Sequence, residues 1–145
     1  MQRILCVCLG NRSRSPMMQA LLQLELGDAS LVESAGVRRE AAGLPADPRA
    51  VQCMRDRGID LSNHQSRWAG DLALADYARI FCVDGEIARR VRALAPEDAK
   101  VVVSVVNGRG DGIPDPFEGG LPAYRSCLVL LDHIIPALAA QSART

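Results

Sequence analysis

The run Ile4-Leu5-Cys6-Val7-Cys8 is apolar at every position, the pattern of a strand buried on both faces of a sheet. A polar, glycine-containing stretch follows, and Pro16 then opens a helical pattern carried by Met17, Ala20, Leu21, Leu22 and Leu24. The alternation continues. A strand is expected near Leu31 to Ser34, and a helix with Asp47 as N-cap and Pro48 as its first residue runs to Arg57, before Gly58. Arg79 to Val83 reads as a third strand, Glu86 to Ala95 as a helix, and the β-branched run Lys100 to Val106 as a fourth strand. Pro122 to Ala139 forms a long closing helix that Pro136 interrupts late, and Arg38 to Pro45 and Asn107 to Pro114 read as loops. This order predicts an α/β fold: a single domain over residues 1–145, with a four-stranded parallel sheet covered by helices on both faces. Ligands of such sheets bind beyond the C-terminal ends of the strands.

Composition narrows the class. The length of 145 residues and 48% apolar content suit one domain with a substantial core. No run of about 18 apolar residues offers a membrane span, and a strand stands where a secretory signal needs a longer apolar stretch, so a cytoplasmic enzyme is expected. Net charge is zero with scattered basic residues, which gives a nucleic-acid role little support. The five cysteines form neither a Cys-x-x-Cys pair nor a Cys/His ligand set, so reduced thiols, no metal and no cofactor are expected. Cys6, Cys53, Cys82 and Cys127 read as core residues.

Cys8 is different, because it begins Cys8-Leu9-Gly10-Asn11-Arg12-Ser13-Arg14-Ser15-Pro16 between a strand's C-terminal end and a helix's N-terminus. Unpaired amides converge at such a junction, and the helix dipole adds roughly half a positive charge, an environment that fits a phosphate-sized dianion. The same field stabilises a cysteine as its thiolate, a nucleophile at neutral pH. Arg14, six residues on, can curl over the loop and grip two phosphoryl oxygens in its planar fork. The spacing alone decides little, since Cys6 and Arg12 repeat it and all the 17 basic residues but Lys100 are arginine. The Cys8 register is preferred because it places Gly10 and Asn11, residues that tolerate unusual backbone turns, within the loop.

A phosphocysteine mechanism also needs an acid for the leaving oxygen and later a base for water. Asp115, in the stiff run Ile113-Pro114-Asp115-Pro116-Phe117, is the best candidate; Asp84, after the third strand, is a second acid within reach of the same edge.

Together these residues resemble the low-molecular-weight protein tyrosine phosphatase family, in its bacterial form, over nearly the whole chain. The Cys8 to Pro16 loop matches the signature Cys-x-Gly-Asn-x-x-Arg-Ser-Pro, and Asp115-Pro116-Phe117 matches the Asp-Pro-aromatic acid loop. Ser34-Ala35-Gly36, Asp47-Pro48-Arg49-Ala50, Arg57-Gly58-Ile59, His64 and Asp84 match between them. The resemblance implies Cys8 as nucleophile, Arg14 as phosphate clamp and Asp115 as general acid, then base. It implies a loop-supporting network of Asn11, Ser15, Ser34 and His64, and a substrate site formed by Leu9, Gly10, Asn11, Arg12, Ser13, Ser15, Glu40 and Phe117. On its own, His64 reads as a surface turn or helix cap.

The implied substrate is a tyrosine-phosphorylated protein, a bacterial tyrosine kinase among the candidates, and the protein is expected to act as a monomer. Ser13 stands where many members carry a second cysteine that protects the nucleophile through a disulfide, so that rescue is expected to be missing here. Arg12 stands where an aliphatic residue or threonine is usual, and Glu40 where some members place an aromatic. With Arg12 turned outward, the pocket suits phosphotyrosine flanked by acidic residues. Three other readings share these residues: a protein arginine phosphatase, a thioredoxin-coupled arsenate reductase, and a phosphoprotein-binding module without catalysis.

Overall fold

The computed structural model describes residues 1–107 and 112–143, so residues 108–111 of the expected Asn107 to Pro114 loop fall outside it. Four strands, β1 (Gln2–Cys8), β2 (Ser30–Gly36), β3 (Arg79–Cys82) and β4 (Val103–Val105), form one parallel sheet in the order β2-β1-β3-β4. The helices are α1 (Arg14–Leu26), α2 (Pro48–Arg55), α3 (Gly85–Leu94) and α4 (Gly120–Ser142).

From β1 the chain moves outward to β2, then returns past β1 to build β3 and β4 on the other side. Right-handed crossovers in opposite directions put α1 and α3 on opposite faces. The direction reverses between β1 and β3, where the loop after Cys8 opens, and that is where such sheets bind ligands.

Ile4, Leu5, Cys6 and Val7 have no exposed surface, as the unbroken apolar run predicts. Each fully buried Ile or Leu contributes roughly 1.5–3 kcal/mol. The end of β1 is therefore a rigid base. Met17, Met18 and Leu22 of α1 and Tyr124 and Leu131 of α4 complete the core above one face, with α4 packed on α1 and α2.

Several boundaries differ from the sequence pattern. Helix α1 starts at Arg14, with Ser13 at the N-cap position but making no side-chain cap, so Pro16 is its third residue and not its first. The missing N–H of Pro16 costs nothing there, because the first four amides of a helix lack intrahelical partners. The strand expected over Lys100 to Val106 shortens to Val103–Val105, where it pairs with β3. Pro136 does not interrupt α4. The carbonyl it leaves unpaired, on Asp132, belongs to an exposed residue, as Pro136 itself is, so water can satisfy it. By length and composition α4 is also apolar enough to cross a membrane, contrary to the expectation that no segment is. Its Tyr124, Cys127, Leu128, Leu131, Ile135 and Leu138 are buried in the core.

Candidate active site

Strand β1 ends at Cys8, paired with Gly36 of β2, and the chain then folds back over that pair. The Leu9 carbonyl accepts from the amides of Val37 (2.9 Å) and Arg38 (3.0 Å). Asn11 has φ +60°, a left-handed conformation that asparagine tolerates better than most residues.

Asn11 is fully buried, and its side chain is satisfied on every side. Its Oδ1 accepts from the Arg67 amide (2.9 Å), which fixes the orientation of the carboxamide, and its Nδ2 donates to Ser15 Oγ (2.8 Å) and Ser34 Oγ (2.9 Å). The Asn11 carbonyl accepts from His64 Nε2 (2.7 Å), and Ser34 donates to Gln19 Oε1 (2.5 Å). Burial pushes the His64 imidazole below its ordinary value, against the opposing pull of the Asn11 carbonyl, so the neutral Nε2–H tautomer makes this bond. The four residues expected to support the loop are thus brought together. Gln19, the Arg67 amide and Gly36 join them without having been anticipated in that role.

Cys8 is 3% exposed, with its sulfur 2.9 Å from Ser15 Oγ and 3.3 Å from the Asn11 amide. Ser15 Oγ already accepts from Asn11, so its own proton is free to point at the sulfur; the competing Ala35 carbonyl is farther, at 3.4 Å. Arg14 is buried, and its Nη1 donates to the Ile113 carbonyl (2.8 Å), which ties the loop to the Asp115 segment. Its guanidinium lies 3.6 Å from both Asp84 Oδ2 and Asp115 Oδ2.

The two acids are not equivalent. Asp84 caps α3, accepting from the Ile87 amide at 2.9 Å, and does not line the cavity over Cys8. Asp115 lines it, its Oδ1 accepting from the Phe117 amide (3.1 Å) and its side chain 44% exposed.

That cavity, about 330 Å³, is lined by Cys8, Leu9, Gly10, Arg12, Ser13, Arg14, Glu40, Asp115 and Phe117, and also by Arg38, Ala41, Leu44 and Asp47. Asn11 and Ser15, expected to bind substrate as well as to support the loop, are fully buried behind it and their side chains do not line it. Arg12 turns outward to the Pro45 carbonyl (2.9 Å), and Glu40 pairs with Arg38 (2.9 Å). Among the described residues no group of His, Cys, Asp and Glu is placed to hold a metal.

One wall is an unanticipated assembly. Asp47 caps α2 and chelates Arg49, whose Nη1 donates to the Phe117 carbonyl (2.6 Å) and whose guanidinium stacks over the rings of Tyr124 and Phe117. The Tyr124 hydroxyl bonds Ser13 Oγ at 2.8 Å. The sequence signal was present in Asp47-Pro48-Arg49-Ala50, but an Asp before Pro also explains itself as an ordinary helix start.

The family model described as low molecular weight phosphotyrosine protein phosphatase matches residues 3–145. This chain belongs to that family. It is 33% identical over 134 residues to "Probable low molecular weight protein-tyrosine-phosphatase EpsP" of Ralstonia nicotianae, covering 92% of this chain and 91% of the relative. Its fold matches Wzb of Vibrio vulnificus, solved with benzylphosphonate, at TM-score 0.81 and 28% identity over 97% and 98% of the two chains. The YwlE arginine phosphatase of Geobacillus stearothermophilus matches at TM-score 0.78 and 28% identity over 99% and 94%. Membership of this family makes the chain a protein-tyrosine-phosphatase, a phosphoric monoester hydrolase.

Proposed function

We propose that residues 1–145 act as one phosphatase domain that hydrolyses phosphotyrosine in proteins through a phosphocysteine. One observation carries this reading: Cys8 Sγ, the Arg14 guanidinium and the Asp115 carboxylate converge on one cavity, over a loop held from behind by Asn11. The Cys8 thiolate attacks phosphorus in line with the tyrosyl oxygen. As the S–P bond forms and the P–O bond breaks, Asp115 gives its proton to the departing oxygen. Arg14 and the loop amides hold the equatorial oxygens, where charge gathers. Water, surrendering a proton to the Asp115 carboxylate, then attacks phosphorus; the P–S bond breaks, and phosphate and the thiolate are released. The Ser15 hydroxyl stabilises that thiolate in both steps.

Phe117, with 58% exposure, gives the phosphotyrosyl ring one aromatic wall, while Arg12 and Glu40 flank the mouth. The outward Arg12 supports a preference for acidic flanks, which Arg12→Ala would alter. Five free, buried cysteines suit a reducing, cytoplasmic setting, where a bacterial tyrosine kinase is a fitting substrate and the protein works as a monomer.

The likeness to an arginine phosphatase motivates a second reading, which Arg12 opposes, because family members of that specificity carry a small threonine at this position. An arsenate reductase is opposed by Cys82, fully buried with its thiol pushed up to about 12. Comparing phosphotyrosine, phosphoserine, phosphoarginine and arsenate under identical conditions tests all three readings. Phosphotyrosine should be turned over fastest, with phosphate trapped on Cys8 in rapid-quench samples. Full activity of Cys8→Ser would defeat any enzymatic reading of Cys8, including this one.

A further inference from the structure

Across Glu40 from the Cys8 cavity lies a second depression of about 340 Å³, walled by Arg39, Trp68, Arg89 and Arg90; Glu40 lines both. The chain as a whole is neutral, yet among the described residues Arg38, Arg39, Arg89 and Arg90 form ion pairs with two carboxylates, each held by one arginine. Arg38 holds Glu40 at 2.9 Å, and Arg89 holds Glu86 through Nε (3.0 Å) and Nη2 (2.6 Å). Arg39 and Arg90 make no ion pair among the described residues. Arg39 stacks 5.1 Å from the centre of the Trp68 ring, which leaves the edge of its guanidinium free to donate. Arg90, half-buried, donates to the Val37 carbonyl at 3.4 Å and feels Glu40 and Glu86 only through space, without pairing with either.

Trp68 is held in place. A Cβ at Gly70 would meet its indole, so that glycine lets the ring lie flat against the turn, and the Trp68 backbone bridges Gly36 beneath the Cys8 loop. The depression is therefore fixed relative to the catalytic loop, cationic beyond local neutralisation, and floored by an aromatic ring.

We propose that it is a subsite for a second anionic side chain of the same phosphoprotein substrate. Its phosphate or carboxylate is held by Arg39 and Arg90, and its stem lies against Trp68. The proposal rests on the reading of the Cys8 cavity as the phosphotyrosine site and adds what surrounds that phosphotyrosine: a neighbouring acidic or phosphorylated residue.

The test uses peptides with one phosphotyrosine and, at stepped positions on either side, a second residue that is phosphotyrosine, glutamate or tyrosine. At the best spacing, kcat/KM for a second anion should exceed that for tyrosine by about tenfold, the scale of one charge-assisted contact, with the gain in KM. In Arg39→Gln/Arg90→Gln the ratio should fall close to one. Glutamate matching phosphotyrosine would assign the site to carboxylates as well; a gain with phosphotyrosine alone would assign it to phosphate. Equal rates at every spacing, or a ratio indifferent to both substitutions, would overturn the proposal. Trp68 is the sole tryptophan, so its emission reads the subsite without turnover. Titrating the same peptides into Cys8→Ser should change that emission with the second anion and not with tyrosine. Failure of the phosphotyrosine reading would abolish hydrolysis of every peptide, whereas failure of the subsite would abolish only this difference.

Discussion

Gly36 lies directly against Gly10: a Cβ added to Gly36 would stand 2.8 Å from the carbonyl carbon of Gly10, 2.8 Å from the Leu9 oxygen and 2.9 Å from the Asn11 amide nitrogen. All three atoms are backbone, so no side chain can swing aside. Gly36→Ala must lift the loop off the end of β2, and a displacement near 1 Å at a reacting group costs about 100-fold. We expect kcat/KM on p-nitrophenyl phosphate to fall by about that factor and Tm to drop by several degrees. Near-normal kinetics would show that the loop tolerates the shift.

The same contact marks where sequence reading stops. The Cys8 loop and Asp115 are legible because their chemistry is local: an apolar strand, a turn, a helix start, and an acid between two prolines. Ser34 and His64 have no such local signature, and only the family resemblance pointed to them. Gln19, the Arg67 amide and Gly36 act through contacts with residues distant in sequence, which no periodicity encodes. Arg49 was visible but already explained by its helix start. Pro16 and Pro136 differ from the sequence expectation for one reason: proline suggests a helix boundary, but both sit where the missing hydrogen bond costs little.

His64 predicts a pH dependence of stability. Burial is the main cause of its lowered folded value, so below about 6.5 the unfolded chain binds a proton that the folded chain resists. Its contribution is complete above about 6.5, is lost as pH falls toward the lowered folded value, and changes no further below that. Urea denaturation at pH 7.5 and 5.5 should therefore show a larger loss for the wild type than for His64→Gln. Equal losses would remove His64 as the titrating group.

Oxidation should silence Cys8 without a protective disulfide. Ser13 fills the position of the usual partner thiol and is bonded to Tyr124. Cys6 is fully buried and its thiol is pushed far above its ordinary value, while burial raises Cys82 to about 12 and Cys127 to about 11, so none supplies a thiolate at neutral pH. Under mild peroxide Cys8 should advance from sulfenic to sulfinic acid, and activity should not return with thiol reductants once it has. A peptide map showing Cys8 in a reversible intraprotein disulfide would refute this.

Arg49 should act on catalysis through Asp115 without touching substrate. It joins the start of α2 to the Phe117 carbonyl at 2.6 Å, and the Phe117 amide in turn holds Asp115 Oδ1 at 3.1 Å. Asp47 grips the same guanidinium from the other side, and that ion pair holds the Asp47 carboxyl below the usual carboxylate range. Arg49→Met keeps the aliphatic stem over the Tyr124 ring but removes every donor, so the acid segment loses a tether while the Cys8 loop keeps all of its own bonds. The consequence depends on the leaving group. p-Nitrophenolate departs with little help from an acid, whereas phenolate needs its proton delivered as the P–O bond breaks. In Arg49→Met, kcat/KM on phenyl phosphate should therefore fall about tenfold more than kcat/KM on p-nitrophenyl phosphate, since the leaving group departs before the shared phosphocysteine is hydrolysed and general acid catalysis is worth about 10²–10⁴ in all. An equal fall on both substrates would mean that Arg49 serves only to hold the wall together.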